Sequence, residues 1–170
     1  AQPRLLREGS EPAPLHPLKD VALSASGVTT AYSNASGGFV MPGVNSSKSV
    51  TARLEGQWSK VVNVAGSDSS VTLTLAPGTP QTFTFNAGLS EQATAEVNAH
   101  TAVEAMRDWL HSVDAAETAL DFQVLSYVNE ADTCNAFYDG FSLNYFLAGD
   151  GCPNTAYQGV VWHEEGHWAN

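Results

Sequence analysis

His163, Glu164 and His167 stand in the order His-Glu-x-x-His within the last eight residues of the chain, His163-Glu164-Glu165-Gly166-His167-Trp168-Ala169-Asn170. On an α-helix, positions i and i+4 lie one above the other, so the two imidazoles can reach one metal ion from the same side, with Glu164 next to them. The chemistry this set offers is metal-assisted hydrolysis. A Lewis acid polarises a carbonyl and a carboxylate takes the proton of the attacking water. Glu164 is the base candidate, because it adjoins the first ligand and can turn toward the metal without binding it. Glu165 falls about 100° further round the helix and reads as a surface or supporting carboxylate. Two imidazoles do not complete a catalytic zinc site, which takes three protein ligands and a water. The third ligand is therefore expected from polypeptide following Asn170 or from a separate chain.

The element carrying this motif is predicted to begin near Asn154 or Thr155, where Thr155-Ala156-Tyr157-Gln158 has the form of a capping box just after Pro153. The apolar run Val160-Val161-Trp162 leads into the motif and predicts a buried helix rather than a solvated helix end. The other histidines, His16, His100 and His111, read as solvated or hydrogen-bonded groups and not as further ligands. Asp139 and the turn Gly149-Asp150-Gly151 offer oxygen ligands for Ca2+ but match no dedicated calcium loop, so ordinary turns are the first reading. Cys134 and Cys152 flank a segment rich in Gly, Asp and aromatic residues, and in an oxidising compartment they are expected to pair.

The whole chain sets the outer limits. Its 170 residues, 43% of them hydrophobic, suffice for one domain or two small ones with a packed core. A net charge of −11 with only seven Lys and Arg argues against nucleic acid and against anionic membrane surfaces as partners. No apolar stretch approaches the roughly 20 residues of a membrane span. A start at Ala1-Gln2-Pro3 without Met is expected of a mature exported protein, secreted or periplasmic.

Along the chain, residues 1–17 carry Pro3, Pro12, Pro14 and Pro17 and predict an extended arm. Residues 18–86 read as a small antiparallel β-sandwich. Its strands are expected at Val21–Ala25, Val28–Tyr32, Gly38–Met41, Val50–Leu54, Trp58–Val64 and Val71–Leu75, between turn clusters. Residues 87–170 change character. Ser90 is a candidate N-cap, and Ala95, Ala99, Ala102, Met106, Trp109, Leu110 and Val113 share one face of a helix running to about His111. Phe122–Val128 alternates as a strand, and Ala136–Tyr138 and Ser142–Phe146 are expected to form a hairpin through Asp139-Gly140. The fold class is therefore α+β.

Asn135-Ala136-Phe137-Tyr138-Asp139-Gly140, then Ser142-Leu143-Asn144-Tyr145-Phe146, then Val160-Val161-Trp162-His163-Glu164-x-x-His167 resemble the edge strand, hairpin and zinc helix of the gluzincin metallopeptidases, of thermolysin-like and fungalysin-like type. The resemblance covers about residues 90–170. It implies the N-terminal helix and sheet half of such a catalytic domain, ending on the HExxH helix. It also implies zinc ligands at His163 and His167, a general base at Glu164, and edge-strand positions at Asn135 and Ala136 that hydrogen-bond an extended peptide. In that family the third ligand is a glutamate on a later helix and the oxyanion donor also lies later, so neither is assigned here. The segment around Gly37-Gly38-Phe39 is similar to carboxypeptidase-regulatory modules of secreted bacterial proteins.

The expected function is that of a secreted zinc endopeptidase acting on peptides or proteins, of which this chain is the N-terminal portion, with the C-terminal half of the catalytic domain as its partner. A noncatalytic adhesion or interaction module carrying a degenerate protease domain is the alternative. A two-histidine storage or structural metal site is the poorer third, because structural zinc is usually closed by four ligands.

Overall fold

The computed structural model describes residues 15–168, so most of the expected N-terminal arm, residues 1–14, lies outside the described residues. Short runs of Val, Thr, Ala and Ser form β1 (Ala22–Ala25), β2 (Val28–Tyr32), β3 (Lys48–Arg53), β4 (Ser59–Asn63) and β5 (Ser70–Leu75). Four of these make an antiparallel sheet in the order β2-β1-β3-β5. Gly27, at φ 69°, closes the turn between β1 and β2, a backbone conformation that suits glycine. In β3 the pleat sends Val50 and Ala52 into the core, while Thr51 faces outward and shares a 2.8 Å hydrogen bond with Thr72 across the ladder.

The expected sandwich is thus a single antiparallel sheet, and two of its expected strands behave differently. Gly38–Met41 forms no strand. Asn34 Oδ1 accepts from Ser36 N, Ser36 Oγ and Gly38 N and winds that segment into a side-chain-capped turn. The strand expected at Trp58–Val64 forms as β4 but leaves the first sheet and pairs in parallel with β6 (Val124–Glu130), from Ser59↔Val124 to Asn63↔Val128. One hydrophobic core runs from Val21 and Val50 through Val61, Val97 and Val128 to Val161, so both sheets share it.

The helix α1 (Glu91–Val113) starts where the sequence predicts: Ser90 is extended and its Oγ accepts from Ala93 N at 3.2 Å. Its end lies two residues past His111, where the Asp114 N–H closes onto Leu110 O. Ala95, Val97, Ala99, Ala102, Val103 and Met106 are buried, but the expected apolar face does not run its full length, since Trp109 and Val113 are 50% and 69% exposed. The second sheet, in the order β4-β6-β8-β7, adds β7 (Ala136–Tyr138) and β8 (Leu143–Phe146). β6 and β8 are parallel, β7 and β8 antiparallel, so this sheet is mixed and the fold is α+β with two sheets and two helices among the described residues. The β7–β8 connection is longer than the tight two-residue turn expected, because Tyr138 pairs with Leu143. Asp139 fills the extra length by accepting from Phe141 N and Ser142 N with one oxygen and from Ser142 Oγ with the other.

The final helix, α2 (Gln158–Gly166), begins later than the capping-box pattern suggests. Tyr157 is the N-cap and makes no side-chain cap bond. Thr155 Oγ1 is committed elsewhere, accepting from Phe146 N at 2.8 Å, and so ties the start of the helix to the end of β8. Asn154 Oδ1 takes Ala156 N, making a local turn of the residues read as helix start. Once formed, α2 buries Val161 completely and its Trp162 donates Nε1–H to Ala102 O of α1 at 3.0 Å.

Cys134 and Cys152 form the expected disulfide, with Cα atoms 5.2 Å apart, joining the start of β7 to the segment before α2. Thr133 Oγ1 donates to Asp150 Oδ2 beside it, and a Cβ on Gly149 would meet Thr133 Cγ2 at 2.4 Å, so the two segments lie too close there for a side chain. Labelling of the denatured, unreduced protein is expected to find no free thiol, whereas two labelled thiols would contradict the bond. Replacing both cysteines by Ser is expected to lower stability by about 3 kcal/mol, the loop-closure value for a ring of this size.

Candidate metal centre

α2 places His163, Glu164 and His167 so that one ligand atom from each lies within 4.8 Å of the others. The mechanism is the predicted one, a single helical turn stacking i and i+4. The two imidazole centroids are 5.3 Å apart with planes at 86°. Both histidines are exposed while Glu164 is buried, with its Oε2 3.9 Å from His167 Nε2, beyond hydrogen-bond distance. Two solvent-facing nitrogen donors with a carboxylate beside them fit a borderline-soft divalent metal such as zinc.

The strand β7 lies at the edge of its sheet, so among the described residues the side of Ala136 away from β8 has no strand partner; Asn135 precedes it, exposed. Tyr138, on the same strand, comes to His167 with the two rings nearly parallel, 7° between planes and 6.1 Å between centroids. The predicted peptide-holding edge and the predicted metal ligands therefore lie together, and Tyr138, which the sequence reading used only as a strand residue, joins them.

His100 and His111 stay outside the cluster. His100 is fully buried, its Nε2 bonded to Lys19 O at 2.8 Å, and burial lowers its pKa. His111 Nε2 contacts Asp121 Oδ1 at 2.9 Å. The oxygens considered for Ca2+ are engaged in turns: Asp139 with its own hairpin, Asp150 with Thr133.

Glu165 requires a correction. It is not at the surface but 0% exposed, close enough to Glu104 of α1 for the two carboxyls to repel. Glu104 of α1, 4% exposed, and Tyr145 of β8, 0% exposed, are buried with it. Both oxygens of Glu165 and the Tyr145 hydroxyl lack hydrogen-bond partners among the described residues, whereas Glu104 Oε2 has Lys19 Nζ beside it. Burial, then the proximity of Glu104, pushes the Glu165 carboxyl up to about 9. Burial, then Asp20, pushes Glu104 up to about 8, with Lys19 Nζ at 3.3 Å from Glu104 Oε2 pulling the other way. Burial also raises Tyr145, with the two glutamates of α2 adding to it. Burial therefore favours the protonated form of Glu165, next in sequence to Glu164 of the motif. A signal for Glu104 was present in the sequence: it lies seven residues after Val97 and four after His100, on the side that α1 buries.

A scan against models of protein families gives no match, and a search of curated proteins finds no significant relative.

Proposed function

We propose that this chain carries the zinc-binding and peptide-holding part of a secreted zinc-dependent endopeptidase of gluzincin type. The observation that carries the reading is the convergence of His163, Glu164 and His167 within 4.8 Å on a helix whose neighbour is the free edge strand β7. His163 and His167 would hold the ion. When bound, zinc supplies Lewis-acid polarisation of the scissile carbonyl and eases deprotonation of a water. Glu164 accepts that proton on its carboxylate and passes it to the departing amine. The backbone of β7 at Asn135 and Ala136 pairs with an extended substrate, and its main-chain bonds fix register without demanding particular side chains.

Among the described residues the cluster gathers two imidazoles and the base but no further His, Cys, Asp or Glu. A third ligand, most simply a carboxylate, is supplied by further polypeptide, in the same precursor or as a separate chain. The 170-residue chain alone is then expected to bind zinc weakly and to cleave no peptide, and a longer product that supplies the third ligand is expected to be active. A casein-type assay on both decides this. Full activity from residues 1–170 alone would contradict the division of the site.

A further inference from the structure

We propose that Tyr138 is a positioning residue for His167, setting the plane of its imidazole from the edge strand; this rests on the zinc reading above. A metal-binding imidazole ordinarily donates its other ring N–H to a carboxylate or carbonyl, and that bond fixes both the tautomer and the ring plane. Among the described residues neither His163 nor His167 has such a bond, and the one carboxylate beside His167, Glu164, stands at 3.9 Å.

His167 has an aromatic support instead. Tyr138 lies parallel to it, 6.1 Å away. Trp168 packs on Tyr138 with centroids 4.6 Å apart and planes at 58°, and Phe122 packs edge-on to Trp168 at 5.3 Å and 73°. Tyr138 comes from β7, Phe122 from the segment before β6 and Trp168 from the turn after α2. Trp168, itself packed by Phe122, thus backs the Tyr138 ring that lies against His167. Offset parallel and edge-on pairs at these separations are the favoured aromatic geometries. His163 also lies edge-on to His167, 5.3 Å between centroids and 86° between planes. An exposed imidazole without this support would sample several rotamers, each of which must be frozen out when the metal binds.

The test uses the full chain, freed of metal, with zinc affinity read by competition against a chromophoric chelator and the His167 ring protons followed by NMR. Tyr138→Phe keeps the ring and is expected to keep wild-type affinity. Tyr138→Leu keeps apolar bulk without the ring and is expected to weaken zinc binding about tenfold, the lower end for loss of a partner that orients a ligand. In the metal-free protein the same variant is expected to shift the His167 ring resonances by loss of the Tyr138 ring current. Trp168→Leu leaves β7 intact and is expected to weaken zinc in the same direction, which keeps the proposal testable if Tyr138→Leu does not fold. Wild-type zinc affinity and unshifted His167 resonances in the folded Leu variants would overturn the positioning role alone. A wild-type chain that takes up no zinc would overturn both this role and the zinc reading.

Discussion

In the proposed peptidase, Glu164→Gln is expected to keep zinc bound while lowering peptide turnover by about two to four orders of magnitude, the range for loss of a positioned general base. The amide has the shape of the carboxylate but cannot take a proton, so the change isolates one role. Glu164 is buried, and its carboxylate lies within 4.8 Å of a ring nitrogen of each histidine. His163→Ala, by contrast, is expected to lose the metal and activity together, because it removes one of the two imidazole donors. Metal content by mass spectrometry and single-turnover cleavage of a peptide distinguish the two outcomes. Near-normal turnover by Glu164→Gln would remove the base assignment, and with it the hydrolytic reading.

The second large effect is a stability that falls with rising pH. Glu104 and Glu165 have folded pKa values raised to about 8 and about 9 by burial, whereas in the unfolded chain they titrate near the ordinary carboxylate value. Below that ordinary value both states hold the protons and no penalty arises. Between it and about pH 9 the folded state binds more protons than the unfolded one, so stability declines as pH rises. Above about 9 the fold must hold an ionised Glu165 that has no hydrogen-bond partner among the described residues, and the full cost applies. Glu165→Gln is expected to flatten this decline in the metal-free chain and to stabilise it at alkaline pH by about 1–3 kcal/mol. Glu104→Gln is expected to give a smaller gain, because it also forfeits the Lys19 ion pair. Denaturant unfolding at pH 5, 7 and 9 measures both. A Glu165→Gln variant with the wild-type slope against pH would show that Glu165 does not carry it.

What the sequence made legible is what depends on near neighbours. Ser90 caps α1 because an N-cap needs only the N–H groups of the next turn, and the His163/His167 pair converges because one helical turn suffices. The cysteine pair was readable from its composition and setting. What stayed hidden was set by partners distant in sequence. Residues 59–63 alternate in a way that suits an edge in either sheet, and their choice of β6 is made across α1, through core residues such as Val61 and Val128. Thr155 has the local form of a cap, but Phe146 claims its hydroxyl. The helical wheel puts Glu165 on a different side from His163 without saying that it is buried close to Glu104 of α1. Tyr138 looked like any strand aromatic, and only the packing of β7 against the end of α2 brings it to His167.

The most direct test of the central claim is a zinc titration of the metal-free chain by calorimetry, alongside His163→Ala, His167→Ala and Glu164→Gln. The proposed zinc site on α2 predicts one weakly bound ion per wild-type chain, retained by Glu164→Gln and lost in both histidine variants. No uptake by the wild type, or uptake that survives both histidine substitutions, would contradict it.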